Sequence, residues 1–462
     1  MPRSSSSTIE LSLRDAVDGR VVVPGDPGYD QARTVFYGGF DRHPAAIVRP
    51  ADAAGVARVV RLAADTGLEL AIRSGGHSTA GHGTSDGGLV LDLANLKGLE
   101  IDPEQRTAWA GAGLTAGGYT AAAGEHGLAT GFGDTGSVGI GGLTLGGRVG
   151  FLARKHGLTI DDLLAAELVT AGGEVLHLDA RSHPELFWAI RGGGGNFGVA
   201  TRFKFRLHPL PAIVGGMLLL PATAQVVADF VAAAEAAPEE LSTIASVLPA
   251  PPLPFVPADQ HGRLVIMARL CWAGDAQAGE RALAPFRALA EPIVDMVQPM
   301  PYSGMFPPQE GEFHPTLAAH TMFLDTVDRP VADTILEHLA ASDAPVRAVE
   351  LRVLGGAMAR VPADATAFAH RHSRILANVG AFYEGPADRD RRQAWVDGLA
   401  AALHQGDDGA YVNFLGDEGP ERVRQAYPGP TWDRLVEVKR RWDPHNLFHR
   451  NQNIPPDPGQ PT

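Results

Sequence analysis

A single cysteine, Cys271, stands in a chain of 462 residues, so no internal disulfide can form and a reducing compartment is expected. Its place in the apolar stretch 264–272 reads as a buried strand residue. No window approaches the ~18 consecutive apolar residues that a membrane-spanning helix needs, and no membrane partner is expected. Residues 1–8 hold one Arg and four Ser but no apolar core or cleavage pattern, so secretion is not signalled and a cytoplasmic location is expected. Positive charge is scarce as well: 39 Lys and Arg against 53 Asp and Glu leave a net charge of −14. With no Lys/Arg-rich run to reverse that field locally, nucleic acid is not an expected partner.

What the chain has in quantity is glycine and proline, 55 and 35 residues, scattered between apolar runs as many tight turns would require. Its length suits two or three domains at roughly 100 to 200 residues each. Residues 45–101 alternate short β-branched runs (46–48, 68–73, 89–93) with an amphipathic helix over 56–66, an α/β module. Strands are expected at 108–110, 162–169, 170–178 and 199–207. Helices are expected at 114–126 and 182–191, the second capped by Ser182. Beyond the Pro209, Leu210, Pro211 boundary the texture becomes α+β. Helices over 222–236, 276–290, 331–342 and 388–405 interleave there with strands over 242–247, 263–272, 348–354 and 377–382. A short strand at Tyr411, a helix over 432–442 and a turn-rich tail are too small to fold alone, so they dock back onto the first domain.

Three glycine-rich clusters carry the chemistry. The first is Arg73, Ser74, Gly75, Gly76, His77, Ser78, after an apolar strand. Paired glycines let successive N–H groups point into one concavity suited to a pyrophosphate, with Arg73 and Ser78 as added donors. His77 and His82 lie five apart but lack a further ligand set, which argues against metal; a plain turn is the bland alternative. The second cluster runs over 131–147 with almost no side-chain bulk and includes Ser137, Gly139, Gly141, Gly142 and Gly146. Extended main chain of this kind can lie flat against a planar ligand. The third, 188–199, ends in Gly198 and Val199 and releases a helix into a strand. Both G-x-G-x-x-G matches, 131–136 and 193–198, stand in the wrong order of strand and helix for nicotinamide dinucleotide binding.

In this order and spacing the clusters, with Lys155, His156, Gly157, Leu158, then Tyr411, Val412, Asn413, then Trp442, Asp443, Pro444, Asn446, Phe448, Asn451 and Asn453, resemble the FAD-linked oxidases of the berberine bridge enzyme type. The resemblance covers the chain from about residue 40 onward. It implies a two-part FAD-binding domain of PCMH type (1–210 and 415–462), completed around an inserted α+β substrate domain (211–414) with an antiparallel sheet. It implies FAD joined to His77 at the 8α methyl and cradled by the glycine clusters, Val199, Asn451 and Asn453. Where many relatives have a Cys bonded to flavin C6 this chain has Thr135, so one covalent link is expected, with a somewhat lower reduction potential. Val138 matches the residue near the oxygen approach, and Leu143 and Phe414 replace a His and a Tyr of relatives. Tyr411 is the candidate base for a substrate proton. Glu350 and Arg352 share one strand face, converging on the substrate if that face looks at the flavin. The implied reaction is hydride transfer from an alcohol, amine, sugar or natural product to flavin, with O2 as acceptor and H2O2 as product, by a monomer or homodimer. A dehydrogenase with another acceptor and a non-catalytic flavin-binding protein are the alternatives.

Overall fold

The computed structural model describes residues 13–14, 17–308 and 313–457, so the reading of residues 1–8 lies outside the described residues. Local rules build the first domain. Helix Ala53–Thr66 begins where the Asp52 carboxylate accepts the Gly55 N–H at 2.7 Å, and it ends at Gly67 in the left-handed region. Val56, Val59, Val60 and Ala63 recur at helical spacing and are all buried. That face closes on a four-stranded sheet in the order Gly19–Val22, Ala46–Pro50, Leu89–Asp92, Leu70–Arg73, its last three strands parallel. Ligands in α/β sheets gather beyond the carboxyl ends of parallel strands, and the His77 loop leaves Leu70–Arg73 there.

A second, antiparallel sheet carries Leu99–Asp102, Thr107–Gly111, Val199–Arg206, Leu163–Val169 and Val175–Asp179 in that order. The last two strands form the expected hairpin through Ala171, Gly172 and Gly173. Between the two sheets the glycine-rich run is not extended throughout: Ile140–Leu145 is a short helix. Ser182 does not cap the following helix either; His183, at φ 53°, precedes Pro184–Ala189 without a side-chain cap.

The second domain is one antiparallel sheet in the order Val294–Asp295, Ile213–Pro221, Leu264–Trp272, Leu241–Pro249, Arg347–Val353, Ile375–Phe382, Leu317–Leu324, with Gln298–Met300 pairing on Ile213–Pro221. Helices Ala224–Ala236, Ala276–Arg287, Arg329–Ala341 and Pro386–Leu403 cover one face. Period two decides which side chains they meet. Ile266, Ala268 and Leu270 join the helix-side core, as do Val349, Leu351 and Val353 and also Ile375, Ala377 and Val379. The intervening Arg269, Glu350, Arg352 and Asn378 must point to the other face, toward the first domain. Cys271 is fully buried there, and burial pushes its thiol up to about 12.

The last segment returns to the first domain through a buried polar clamp. Lys439 Nζ, fully enclosed, donates to Asp443 at 2.7 Å and to the Asn196 and Phe448 carbonyls at 2.9 Å. Asn196 binds the main chain of Gln452 and Ile454, so the tail closes the same cavity that the glycine clusters open. A buried ammonium is tolerable only with its donors answered, and here three acceptors answer them.

Candidate active site

Between the two domains lies a cavity of about 470 Å³. Its floor is main chain. Gly75 and Gly139 pass so closely that a Cβ on Gly139 would collide with Gly75 N and Ser74 Oγ, while Gly142 faces open space. Gly76 turns at φ 71°, setting His77 at the rim. The imidazole stacks on Phe36 with ring centroids 4.0 Å apart and meets the Ser137 main chain. Burial, helped by Arg148, lowers its pKa to about 4, so it is neutral at pH 7 with a ring nitrogen free to act as a nucleophile.

Several buried polar atoms on the wall have no hydrogen-bond partner in the protein: both ring nitrogens of His82, Asn378 Oδ1 and Asn451 Oδ1. Each such atom costs about 1–3 kcal/mol when left unmet. A nucleotide's phosphate, ribose and ring-edge groups are the partners this wall lacks, and a glycine floor without Cβ atoms admits its flat ring. The residues present fit FAD.

Above the floor sits an ionic cluster. Asp134 accepts from Arg148 at 2.6 Å and Arg352 at 2.5 Å, with Arg269 at 3.2 Å. Arg352 also holds Glu350 at 2.7 Å, and Arg269 approaches the same carboxylate at 3.8 Å. The register explains the convergence: Arg269 and Arg352 both lie opposite Ile244, on the strands either side of it. Burial alone would raise the Asp134 pKa, but Arg352, Arg148 and Arg269 outweigh it and hold the carboxyl far below the usual range. Burial, reinforced by Asp134, pushes the neighbouring Tyr37 up to about 12.

The sequence-named residues come together on this cavity in the main. Ser74, Gly75, Gly76, Ser78, Thr135, Val138, Gly139, Gly141, Gly142, Gly146, Gly198, Val199, Asn451, Glu350 and Arg352 line it. Four readings need correction. Arg73 lines the cavity as well, but its guanidinium is engaged by Asp92 at 2.8 Å and the Ala32 carbonyl at 2.6 Å, so it braces the loop and is not a free phosphate donor. Ser137 meets His77 only through its main chain, and Asn453 is off the wall. Tyr411 is not on a strand and is fully buried, packed on Phe414 of the cavity wall; its hydroxyl accepts from Val149 N at 3.2 Å and Asn413 Nδ2 at 3.0 Å. Asp134, Arg148, Arg269 and Tyr37 escaped the sequence reading. Asp134 and Arg148 had a signal, as the charges inside a run otherwise free of them.

A family model for the FAD binding domain matches residues 44–179, and one for berberine and berberine-like proteins matches 410–455. (R)-6-Hydroxynicotine oxidase of Paenarthrobacter nicotinovorans is 31% identical, the match spanning 97% of this chain and 99% of that protein. The crystal structure of 6-hydroxy-D-nicotine oxidase from Arthrobacter nicotinovorans matches with a TM-score of 0.85 at 29% identity, over 96% of this chain and 98% of that one. Glucooligosaccharide oxidase from Acremonium strictum, described with a 6-S-cysteinyl, 8α-N1-histidyl FAD, gives a TM-score of 0.85 at 23% identity, over 97% and 99% of the two chains, and speaks for the fold alone. With a cavity suited to FAD and a relative alike from end to end, the chain belongs to the berberine bridge enzyme-like FAD-linked oxidoreductases.

Proposed function

We propose that this protein is an oxidase that holds FAD covalently through His77 alone, oxidises a small organic substrate at an alcohol or amine carbon, and passes the electrons to O2 to give H2O2. The observation that carries the reading is the neutral His77 imidazole, set by Gly76 at the rim of a side-chain-free floor. When bound, FAD supplies a two-electron acceptor for the substrate and a donor to oxygen. Phe36 fixes the imidazole plane by stacking. Thr135 lines the cavity with its hydroxyl donating to Asp134 at 3.1 Å, and a hydroxyl cannot make the thioether that a cysteine makes. Val138 presents a small apolar surface on the wall, which leaves room for oxygen.

Three groups near the substrate space differ in what they can do with a proton. Asp134, clamped by three arginines, stays anionic and orients them. Tyr37 keeps its proton and serves as a donor. Glu350, whose side chain is 19% exposed, is the carboxylate that reaches the cavity with an open edge, and it can hold the proton a substrate O–H or N–H releases. The decisive measurement is the mass of the denatured protein. It should exceed the polypeptide mass by one FAD, and His77→Ala should lose the increment; an unmodified wild-type mass overturns the covalent reading. Release of peroxide from alcohols and amines then separates an oxidase from a dehydrogenase.

A further inference from the structure

We propose that the substrate carries an anionic group, a carboxylate in the simplest case, received by Arg269 at the open edge of the arginine cluster; this rests on the oxidase reading above. Three guanidinium charges, Arg148, Arg269 and Arg352, face two carboxylates, Asp134 and Glu350. One positive charge is left over in a largely enclosed place, and an enclosed charge without a counter-ion is costly. The surplus is localised by the distances. Arg148 and Arg352 make contacts of 2.5 to 2.7 Å and are nearly buried, whereas Arg269 reaches its carboxylates only at 3.2 and 3.8 Å. Its side chain is also the most exposed of the three, at 32%. Arg148 Nε also lacks a partner, but it is buried against Gly133. Arg269 commits two of its five N–H donors, to the Asp134 carbonyl at 3.0 Å and carboxylate at 3.2 Å, and so keeps donors to spare on the cavity it lines.

The rest of the wall suits an apolar body behind such a head. Leu317, Ala319 and Phe414 lie on the cavity beside the cluster. A protonated amine would meet net positive charge, and the one carboxylate with an open edge, Glu350, is already ion-paired to Arg352 at 2.7 Å. The site thus favours an acid over a cationic amine, and it does so with a planar fork that matches a carboxylate in two bonds.

Benzoate and benzamide, nearly equal in shape and different in charge, provide the test on the flavin-loaded protein, with covalent loading checked by mass. Each is titrated while the visible flavin absorption is recorded. Benzoate should saturate, with benzamide at least about tenfold weaker, the step one charge-assisted contact supplies. Arg269→Gln should weaken benzoate by about tenfold and leave benzamide unchanged, with Arg269→Lys in between. Equal or absent binding of the pair overturns the proposal, and that comparison needs no variant to fold. So does an Arg269→Gln protein that binds benzoate normally while its flavin potential or reoxidation rate moves, because the cluster would then serve the flavin. Protein that holds no FAD under any condition overturns the oxidase reading and this one together.

Discussion

Removing the hydroxyl of Tyr411 separates two roles that a motif alone confuses. In the fold that oxygen accepts the Val149 N–H and the Asn413 amide, and the ring is fully buried against Phe414. Tyr411→Phe should therefore cost about 1–3 kcal/mol of stability, the cost of leaving a buried donor unmet, while turnover of the loaded enzyme stays within about twofold of wild type. Denaturant unfolding and steady-state rates check this, and a hundredfold loss of rate would restore Tyr411 as the base. Position by position, the floor was legible because glycine spacing alone dictates it: only residues without Cβ let Gly75 and Gly139 touch. The ceiling was half legible. Glu350 and Arg352 follow from period two on one strand, but Arg269 comes from another strand 81 positions earlier and is brought to them by register across Ile244. No local pattern encodes that meeting.

At the scale of elements, helix Ala53–Thr66 was readable from its periodic valines, although its start at Ala53, set by Asp52, precedes the expected start at 56. Asp52→Ala removes the cap and should lower stability by about 1 kcal/mol without altering flavin content, as thermal unfolding followed beside the flavin absorbance will show. Two long strands were missed. Ile213–Pro221 contains Gly215 and Gly216 beside a proline boundary, and no strand is expected there from its local pattern. Leu317–Leu324 has two alanines, Ala318 and Ala319, after its first residue, and alanine carries no strand preference. Both strands form because neighbours pair with them, a tertiary effect. The helix Ile140–Leu145 is the reverse case: its glycines disfavour helix by about 1 kcal/mol each, yet Ile140, Leu143 and Thr144 fall at helical spacing and are buried by the surrounding sheets.

Across the whole molecule, the two domains are riveted by polar groups from each side. Asp134 of the first meets Arg269 and Arg352 of the second, and the buried Arg154 donates to the Ala234, Ala237 and Leu241 carbonyls. Buried histidines add a pH dependence. Burial, outweighing the Asp417 carboxylate, lowers His82 to about 4, and burial with His208 and Lys155 lowers His156 to about 3. An unfolded histidine titrates near ~6.5, so below that value the unfolded chain takes up protons that the folded chain refuses. The stability these neutral imidazoles allow is complete above about pH 6.5 and is lost as pH falls toward the folded values. Urea midpoints of the loaded protein should therefore decline from pH 7 to pH 5, by on the order of 1 to 2 kcal/mol in stability. His156→Gln should flatten the decline, and an unchanged slope in that variant would remove His156 from the account.

The sheet of the second domain turns alternate side chains toward different neighbours, helices above and cavity below. Such a ceiling can be repainted on its underside while the upper surface, which keeps the domain folded, goes untouched. A lineage built on this plan is free to change what it eats without relearning how to grip its coenzyme.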